Sequence, residues 1–325
     1  MTTAHEIRQN TSLIATVLNE ERSLPAFLAS LEAQTIHPAE IVVVDGGSSD
    51  RTVQHLRAWT PPCGCRVTVH AAPGAGISAG RNLAIARATN EQMVITDAGT
   101  VQRGDWFATL TAPWDRDPDA VIAGFFEPAG ETFWARTIAA VITPTRAEID
   151  PGRFQPSSRS VAFPRSVWRE VGGYPEWLDY CEDLVLDLAI RKTGRRFTFV
   201  PDAVVAWVGR PNLFEFAKQY YRYARGDGKA GLFPRRHELR YGAYAFALIA
   251  WWISPWLFLA GAIGFAAYVR TSLRRVWERR TMFRPPAAAA ALLSAPLVVV
   301  VGDVAKMVGY PPGLAWRRRR AGRKS

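Results

Sequence analysis

Cysteine is nearly missing from this chain, with three in 325 residues, Cys63, Cys65 and Cys181. That number cannot build a disulfide framework. Histidine is scarce too, at five. The one local grouping of both types, His55, Cys63, Cys65 and His70, has an irregular spacing that fits known zinc patterns poorly, so residues 59–66 read as a plain loop. An apolar leader is also lacking. Residues 1–11 are polar and the first apolar stretch reads as a strand, so no signal peptide is expected and the folded part is placed in the cytoplasm. No internal repeat stands out, and the one biased tract is the alanine run 287–291.

Acidic residues are sparse in one region only. Residues 210–325 hold five of the 29 Asp and Glu but 21 of the 40 Lys and Arg, so the net charge of +11 belongs to the tail. There the basic groups bracket apolar runs, as they would beside anionic lipid headgroups. No DNA- or RNA-reading motif accompanies them, so nucleic acid is not an expected partner. Residues 241–269 carry no charge, and at 1.5 Å per residue in a helix they are long enough to cross a bilayer. Trp251, Trp252 and Trp256, with Pro255, point instead to a kink or a re-entrant course, because tryptophan favours the interface. The second run, 287–301, is followed by Asp303 and Lys306. It can span if those two pair across one helical turn, or lie in the interface. Basic residues flank both runs: Arg235, Arg236 and Arg240 before the first, six arginines in 270–284 between them, and a cluster from Arg317 to the end. A simple two-span hairpin would put one positive flank outside, against the positive-inside tendency.

The informative segments lie upstream. Ser12 to Val17 reads as a strand ending in Asn19-Glu20, followed by Leu24, Phe27, Leu28 and Leu31 at helical spacing. A second strand, Ile41 to Val44, delivers Asp45 into Gly46-Gly47-Ser48-Ser49-Asp50-Arg51-Thr52. Strand, helix and buried strand make a βαβ unit, and ligands in such sheets bind at the carboxyl ends of strands. Asp45 can accept hydrogen bonds from a base or ribose there, although Asp-Gly-Gly-Ser is equally ordinary turn chemistry. Next come Gly76-Ile77-Ser78-Ala79-Gly80-Arg81-Asn82, a helix over 83–88, and a strand, 92–96, ending at Asp97-Ala98-Gly99. Asp105 reads as the cap of a helix opening at Trp106. A third segment has Gly172-Gly173-Tyr174 and then Glu182-Asp183 opening a helix, where acids also suit the positive end of the macrodipole. The fourth, Gln219-Tyr220-Tyr221-Arg222-Tyr223, reads as an amphipathic helix whose tyrosines suit a membrane surface.

These four segments resemble the family-2 glycosyltransferases of the GT-A fold, inverting enzymes often found at bacterial membranes. The resemblance runs to about residue 230. It implies an α/β fold, a mixed nucleotide-binding sheet flanked by helices, over 10–235, divided into a nucleotide-binding half (10–110) and an acceptor half (111–235). Residues 236–325 would then be a membrane-associated segment with one or two transmembrane helices. By the same resemblance Glu20, Asp45, Arg81 and Asp97 bind the nucleoside diphosphate sugar donor. Asp97 holds a Mg²⁺ or Mn²⁺ ion against the diphosphate, because a hard cation stabilises a departing diphosphate without proton transfer. Asp183 is the general base for the acceptor hydroxyl, with Glu182 supporting it, and Gln219, Arg222 and Tyr223 border acceptor and phosphate.

The chain departs from the family pattern at four points. Gly46 replaces a second strand-end aspartate, Gly99 the second carboxylate of Asp-x-Asp, Tyr223 a tryptophan, and Trp207 a histidine that ligates metal in many relatives. The expected function is transfer of a sugar to a lipid-linked or membrane-presented acceptor, at the cytoplasmic membrane with the catalytic domain facing the cytoplasm and anionic lipids as partners. Two other classes share the core: a binding or transport component with a degenerate transferase domain, and a nucleotidyltransferase. Retention of Asp45, Asp97 and Asp183 together speaks against the first. Glu182-Asp183 after Gly172-Gly173-Tyr174 speaks against the second.

Overall fold

A computed structural model describes residues 6–322 of the chain. In chain order it begins with β1 (Glu6–Val17), α1 (Leu24–Glu32), β2 (Ile36–Asp45), α2 (Thr52–Ala58), β3 (Arg66–Ala71) and α3 (Ile77–Arg87). There follow β4 (Gln92–Ile95), β5 (Thr100–Gln102), α4 (Trp106–Thr111), β6 (Val121–Ala129), α5 (Phe133–Ile142), β7 (Val161–Pro164) and α6 (Arg165–Val171). The last elements are α7 (Glu182–Lys192), β8 (Phe197–Val208), α8 (Leu213–Ala230), α9 (Pro234–Ile253), α10 (Pro255–Glu278) and α11 (Pro285–Gly322). Two compact units result. One comprises the residues up to Glu127 with Arg146–Trp207, the other Pro128–Thr145 with the residues from Val208 onward.

The first unit is built on a mixed sheet of eight strands in the order β3-β2-β1-β4-β7-β6-β8-β5. β3, β2, β1 and β4 run parallel to one another, whereas β7 is antiparallel to β4 and to β6, and β5 is antiparallel to β8. Side chains alternate across a strand, and here both faces are covered. Leu13, Ala15, Ile41 and Val43 face α1 and α4 through Phe27, Leu31, Trp106 and Phe107. Ile14, Val42 and Val44 face the other way, toward Ala84, Ile85, Val167, Leu186 and Ile190. Burial on both sides explains why β2 is an unbroken β-branched run rather than an alternating one.

Three local expectations change. β1 begins at Glu6 rather than Ser12, because Asn10 at φ 60° lets the strand pass a register shift between Arg8 and Ser12 and keep pairing with β2. α3 begins at Ile77 rather than Leu83. Gly80 lets that first turn seat directly on β1, since a Cβ there would come 3.0 Å from Thr16 Cγ2. Asp105 stands at the head of α4 but caps nothing. Its carboxylate accepts from Arg103 Nε at 2.6 Å instead.

The second unit is helical. Ile138 of α5, Phe216 of α8, Val276 of α10 and Ala291, Ala295 and Val298 of α11 form its core. Asn212 caps α8 by accepting from the Glu215 amide at 2.9 Å. By length and composition α10 and α11 could each cross a membrane. The uncharged run 241–269 is not one helix. It breaks at Ser254, where Pro255 opens α10 at a position that needs no N–H. Asp303 and Lys306 do not pair with each other. Arg240 Nε donates to Asp303 Oδ1 at 2.8 Å and the Tyr268 hydroxyl to Oδ2 at 2.8 Å, while Lys306 Nζ lies over the Tyr220 ring, 4.6 Å from its centroid. The two side chains face different neighbours of α11, so the helix turn between them is not closed by a salt bridge.

Candidate active site

At the carboxyl ends of β1 and β2 two loops are laced together. The Asn19 amide donates to Ser48 Oγ at 2.8 Å, the Ser49 amide to Asn19 Oδ1 at 2.8 Å, and the Glu20 amide to Thr52 Oγ1 at 2.8 Å. Asp45 is 4% exposed and organises the turn that follows it. Its oxygens accept from the Gly47 and Ser48 amides at 3.1 Å and from Ser48 Oγ at 2.5 Å. Gly47 has φ 103° and packs on Pro73, a conformation that a side chain would strain. Much of the hydrogen-bonding capacity of Asp45 is therefore spent within its own loop. The Glu20 carboxylate meets the Ser23 hydroxyl.

The first turns of α3 and the Gly172-Gly173-Tyr174 segment interlock. Asn82 Oδ1 accepts from the Tyr174 amide at 2.9 Å and from Trp168 Nε1 at 3.0 Å, while its Nδ2 donates to the Tyr174 carbonyl at 2.9 Å. Gly172 and Gly173 both have positive φ, and a Cβ on Gly173 would stand 2.7 Å from Trp168 Nε1. Ser78 Oγ adds a bond to the Leu178 carbonyl at 3.3 Å. These ties carry the chain to α7, whose first turn holds Glu182 and Asp183.

Arg81 joins the two acidic motifs. It is 2% exposed, donates from Nη2 to Asp97 Oδ1 at 2.6 Å and from Nη1 to Glu182 Oε1 at 2.8 Å, and lies over the Tyr174 ring. Burial opposes its charge, but Asp97, Tyr174, Glu182 and Asp183 outweigh that, and its pKa rises above the usual range. Glu182 is pushed up to about 7 by burial and then by the neighbouring Asp183 charge, against the pull of Arg81. Burial likewise drives the Tyr174 hydroxyl upward, although it bonds Ser158 at 2.9 Å.

Asp183 sits at the rim of this cluster. Its Oδ1 accepts from the Leu184 amide at 2.8 Å, and its Oδ2 is 3.4 Å from Ser157 Oγ. Ser157 accepts from Arg159 Nη1 at 2.9 Å, and Arg159 Nε lies 3.9 Å from Asp97 Oδ2. Contacts thus run from Glu182 through Arg81, Asp97, Arg159 and Ser157 to Asp183, the sequence neighbour of Glu182. The motif reading missed Ser157 and Arg159 because they lie in an irregular segment before β7 with no periodicity. It also missed Asp187, one turn beyond Asp183, 3% exposed and with Oδ2 unpaired. Burial and then Asp183 hold its pKa well above the carboxylate range. A lone acid on the apolar face of α7 is the signal that could have found it.

For a divalent ion, Asp97 offers one carboxylate with Oδ1 taken by Arg81, leaving Oδ2 at the partly exposed edge. Among the described residues no three His, Cys, Asp or Glu side chains converge. Such a donor set fits an ion held by one carboxylate together with waters and substrate oxygens, a usual arrangement for Mg²⁺. Trp207 has no atom that can ligate a metal. Its ring carries Arg159, whose guanidinium carbon is 5.5 Å from the ring centroid, with Phe126 at 5.7 Å.

Gln219, Arg222 and Tyr223 lie on α8, in the second unit. Gln219 is 5% exposed. Its Nε2 donates to the Tyr223 hydroxyl at 2.7 Å, and its Oε1 has no partner.

Residues 12–162 match the family model described as glycosyl transferase family 2. An N-acetylglucosaminyl-diphospho-decaprenol L-rhamnosyltransferase of Mycobacterium tuberculosis is 24% identical over 323 residues, covering 82% of this chain and 95% of that protein. A PGL/p-HBAD biosynthesis glycosyltransferase of Mycobacterium bovis is 33% identical over 102 residues, 31% of this chain and 40% of its own. Among solved structures, a mannosyltransferase from Pyrobaculum calidifontis, in complex with GDP-Man and Mn²⁺, superposes with a TM-score of 0.53. It is 19% identical and matches 97% of this chain and 88% of its own. Residues 12–162 thus carry a family-2 glycosyltransferase domain on the GT-A fold, and the protein is a glycosyltransferase.

Proposed function

We propose that this enzyme transfers a sugar from a nucleoside diphosphate sugar to a hydroxyl of a lipid-linked acceptor, with inversion at the anomeric carbon. The observation that carries the reading is the chain of contacts that sets a partly exposed carboxylate, Asp183, near the Arg159 guanidinium and the Arg81-bound Asp97. The acceptor oxygen bonds to the anomeric carbon as its proton passes to Asp183, and the bond from that carbon to the diphosphate breaks with its electrons on the leaving oxygen. The Leu184 amide and Ser157 hold Asp183 in place, and Glu182 supports it by fixing the first turn of α7 on Arg81. Arg159, fixed on Trp207 and Phe126, faces the developing charge, where a preorganised cation needs no reorganisation during the reaction. A Mg²⁺ or Mn²⁺ ion held by Asp97 supplies further neutralisation of the diphosphate when bound.

The lipid-linked acceptor is supported by the name of the mycobacterial rhamnosyltransferase and by the exposed apolar helices of the second unit. Gln219, Arg222 and Tyr223 are assigned to acceptor and phosphate recognition. The enzyme is assigned to the cytoplasmic membrane, with its sugar-nucleotide site on the cytoplasmic side, where anionic lipids meet the basic tail. The test is a donor panel. Membranes containing the full chain are incubated with nucleotide sugars and a polyprenyl-diphosphate-linked sugar, and nucleoside diphosphate release is measured. Release with one donor that depends on the lipid acceptor is expected. Release from no donor, or release indifferent to the acceptor, overturns the proposal.

A further inference from the structure

We infer that the chain enters the membrane as a re-entrant hairpin, α9 and α10, neither arm of which crosses the bilayer. This rests on the membrane attachment proposed above and specifies its form.

The arms are too short to span. Residues 241–253 of α9 and 255–269 of α10 are the uncharged stretches on either side of the break at Ser254. At 1.5 Å per residue they reach about 20 and 22 Å, against a hydrocarbon core of about 30 Å. α10 continues to Glu278, but Arg270, Arg274 and Arg275 occupy that extension.

The two arms also return to one side. Arg240 at the start of the first arm and Tyr268 at the end of the second bond the same carboxylate, Asp303, each at 2.8 Å. Tyr244 contacts that carboxylate at 3.4 Å, and Phe246 lies opposite Gly261 further along. Both basic flanks, Arg235 and Arg236 before and Arg270, Arg274 and Arg275 after, therefore stand at the base together. Anionic headgroups complement such a cluster. It also removes the conflict in the charge pattern, since neither flank has to be translocated.

Beyond the base the hairpin is bare. Leu248, Trp252, Ile253, Trp256 and Ile263 are each at least 62% exposed. A soluble surface rarely carries so large an apolar patch. The break itself is suited to lipid, where backbone polar groups need internal partners. The Ser254 amide donates to the Ala250 carbonyl, Ser254 Oγ accepts from the Trp256 amide at 3.3 Å, and the Ser254 carbonyl accepts from the Phe258 amide at 3.1 Å. Trp252 and Trp256 flank this tip.

The second apolar helix is engaged within its own unit. Ala291, Ala295 and Val298 of α11 are buried in the core with Phe216 and Ile138, and Gly302 meets the Phe216 and Tyr220 rings. Pro296, Pro311 and Pro312 and the buried Asp303 lie along the same helix. One face of this helix thus packs within the helical unit, while Leu293, Leu297, Val304 and Val308 along it stay exposed.

The test is labelling of the full chain in sealed membrane vesicles, with Glu238→Cys, Ser254→Cys and Glu278→Cys introduced singly after serine replacement of Cys63, Cys65 and Cys181. An impermeant maleimide should label positions 238 and 278 from the same face and position 254 from neither. Labelling of 238 and 278 from opposite faces, or of 254 from either face, overturns the inference. A fluorophore placed at 254 before reconstitution should be quenched by lipids brominated on the acyl chains. An unquenched probe would mean that protein, not lipid, covers the tip, and would also overturn it. Washing with 1 M salt should leave the protein on the membrane, and complete release would exclude insertion. Nucleoside diphosphate release from the same vesicles reports the proposed reaction separately, so loss of one reading does not remove the other.

Discussion

Arg159 rests on the Trp207 ring, 5.5 Å from guanidinium carbon to ring centroid, with its Nε 3.9 Å from Asp97 Oδ2. Trp207 thus serves as a platform for a cation. A guanidinium held on an aromatic face keeps its charge and its fork of donors. The stack fixes a positive charge at the edge of the site.

Arg159→Lys should therefore be a severe change despite conserving charge, because an ammonium neither stacks flat nor forks. A fall of roughly ten- to a hundredfold in kcat/KM is expected. Trp207→His should lower activity in the same direction by freeing the guanidinium. Steady-state kinetics with saturating metal check both, and a wild-type rate for Arg159→Lys would remove it from the reaction.

Asp183→Asn should keep donor affinity while transfer falls by about a hundredfold or more, the usual scale for loss of a positioned base. Donor titration by calorimetry alongside product formation separates the two effects. Near-normal transfer would assign the proton to another group.

Chelation should reduce activity, and Mg²⁺ or Mn²⁺ should restore it only at high concentration, because a single carboxylate holds the ion loosely. Asp97→Ala should not be rescued, and it also removes one carboxylate from beside Arg81 and Arg159. Residual turnover in chelator should be larger in wild type than in Arg159→Lys. Equal residual rates would count against a charge-stabilising role for that arginine.

Glu182 gives a pH signature. Its pKa is raised in the folded protein to about 7, so between the ordinary carboxylate value and 7 the folded state binds more protons than the unfolded one. Stability must then fall as pH rises across that window, flattening above it. Glu182→Gln should lose this slope, so the difference in Tm between variant and wild type should change from pH 4.5 to 7 and be constant beyond. Parallel curves over the whole range would show that Glu182 stays ionised beside Arg81.

Gly173→Ala should destabilise strongly, since φ is 75° there and the added methyl meets Trp168 Nε1 and Asn82 Oδ1 below 3 Å. Gly172→Ala has the same backbone strain but open space, so it should cost less. Thermal unfolding of the pair compares steric overlap with strain alone.

Much of the sheet was readable because its signals are local. The run from Ile41 to Val44 is buried on both faces, and its composition states as much. Helix α7 likewise declares itself through Leu186 and Ile190. What escaped the sequence is long-range. Arg159 and Ser157 acquire meaning only when β7 returns beside β4, and nothing in the spacing of residues 157–160 encodes that neighbour. Asp303 looked like half of a helical pair with Lys306, yet its partners are Arg240 and Tyr268, contributed by other helices. The apolar run 287–301 carries the composition of a membrane segment, while its small residues are shaped for Phe216 and Tyr220. Hydropathy counts apolar atoms but does not say whether lipid or protein will cover them.

The Asp303 carboxylate also imposes an order on the birth of the protein. It lies more than thirty residues after Tyr268 and more than sixty after Arg240, so a ribosome releases both arms of the hairpin well before their common anchor exists. Until α11 is made, Arg240 and two tyrosine hydroxyls lack the acceptor that draws the base of the hairpin together. Closure of the base of α9 and α10 on Asp303 must therefore follow translation of α11, and a truncated product ending before residue 303 would lack that shared contact.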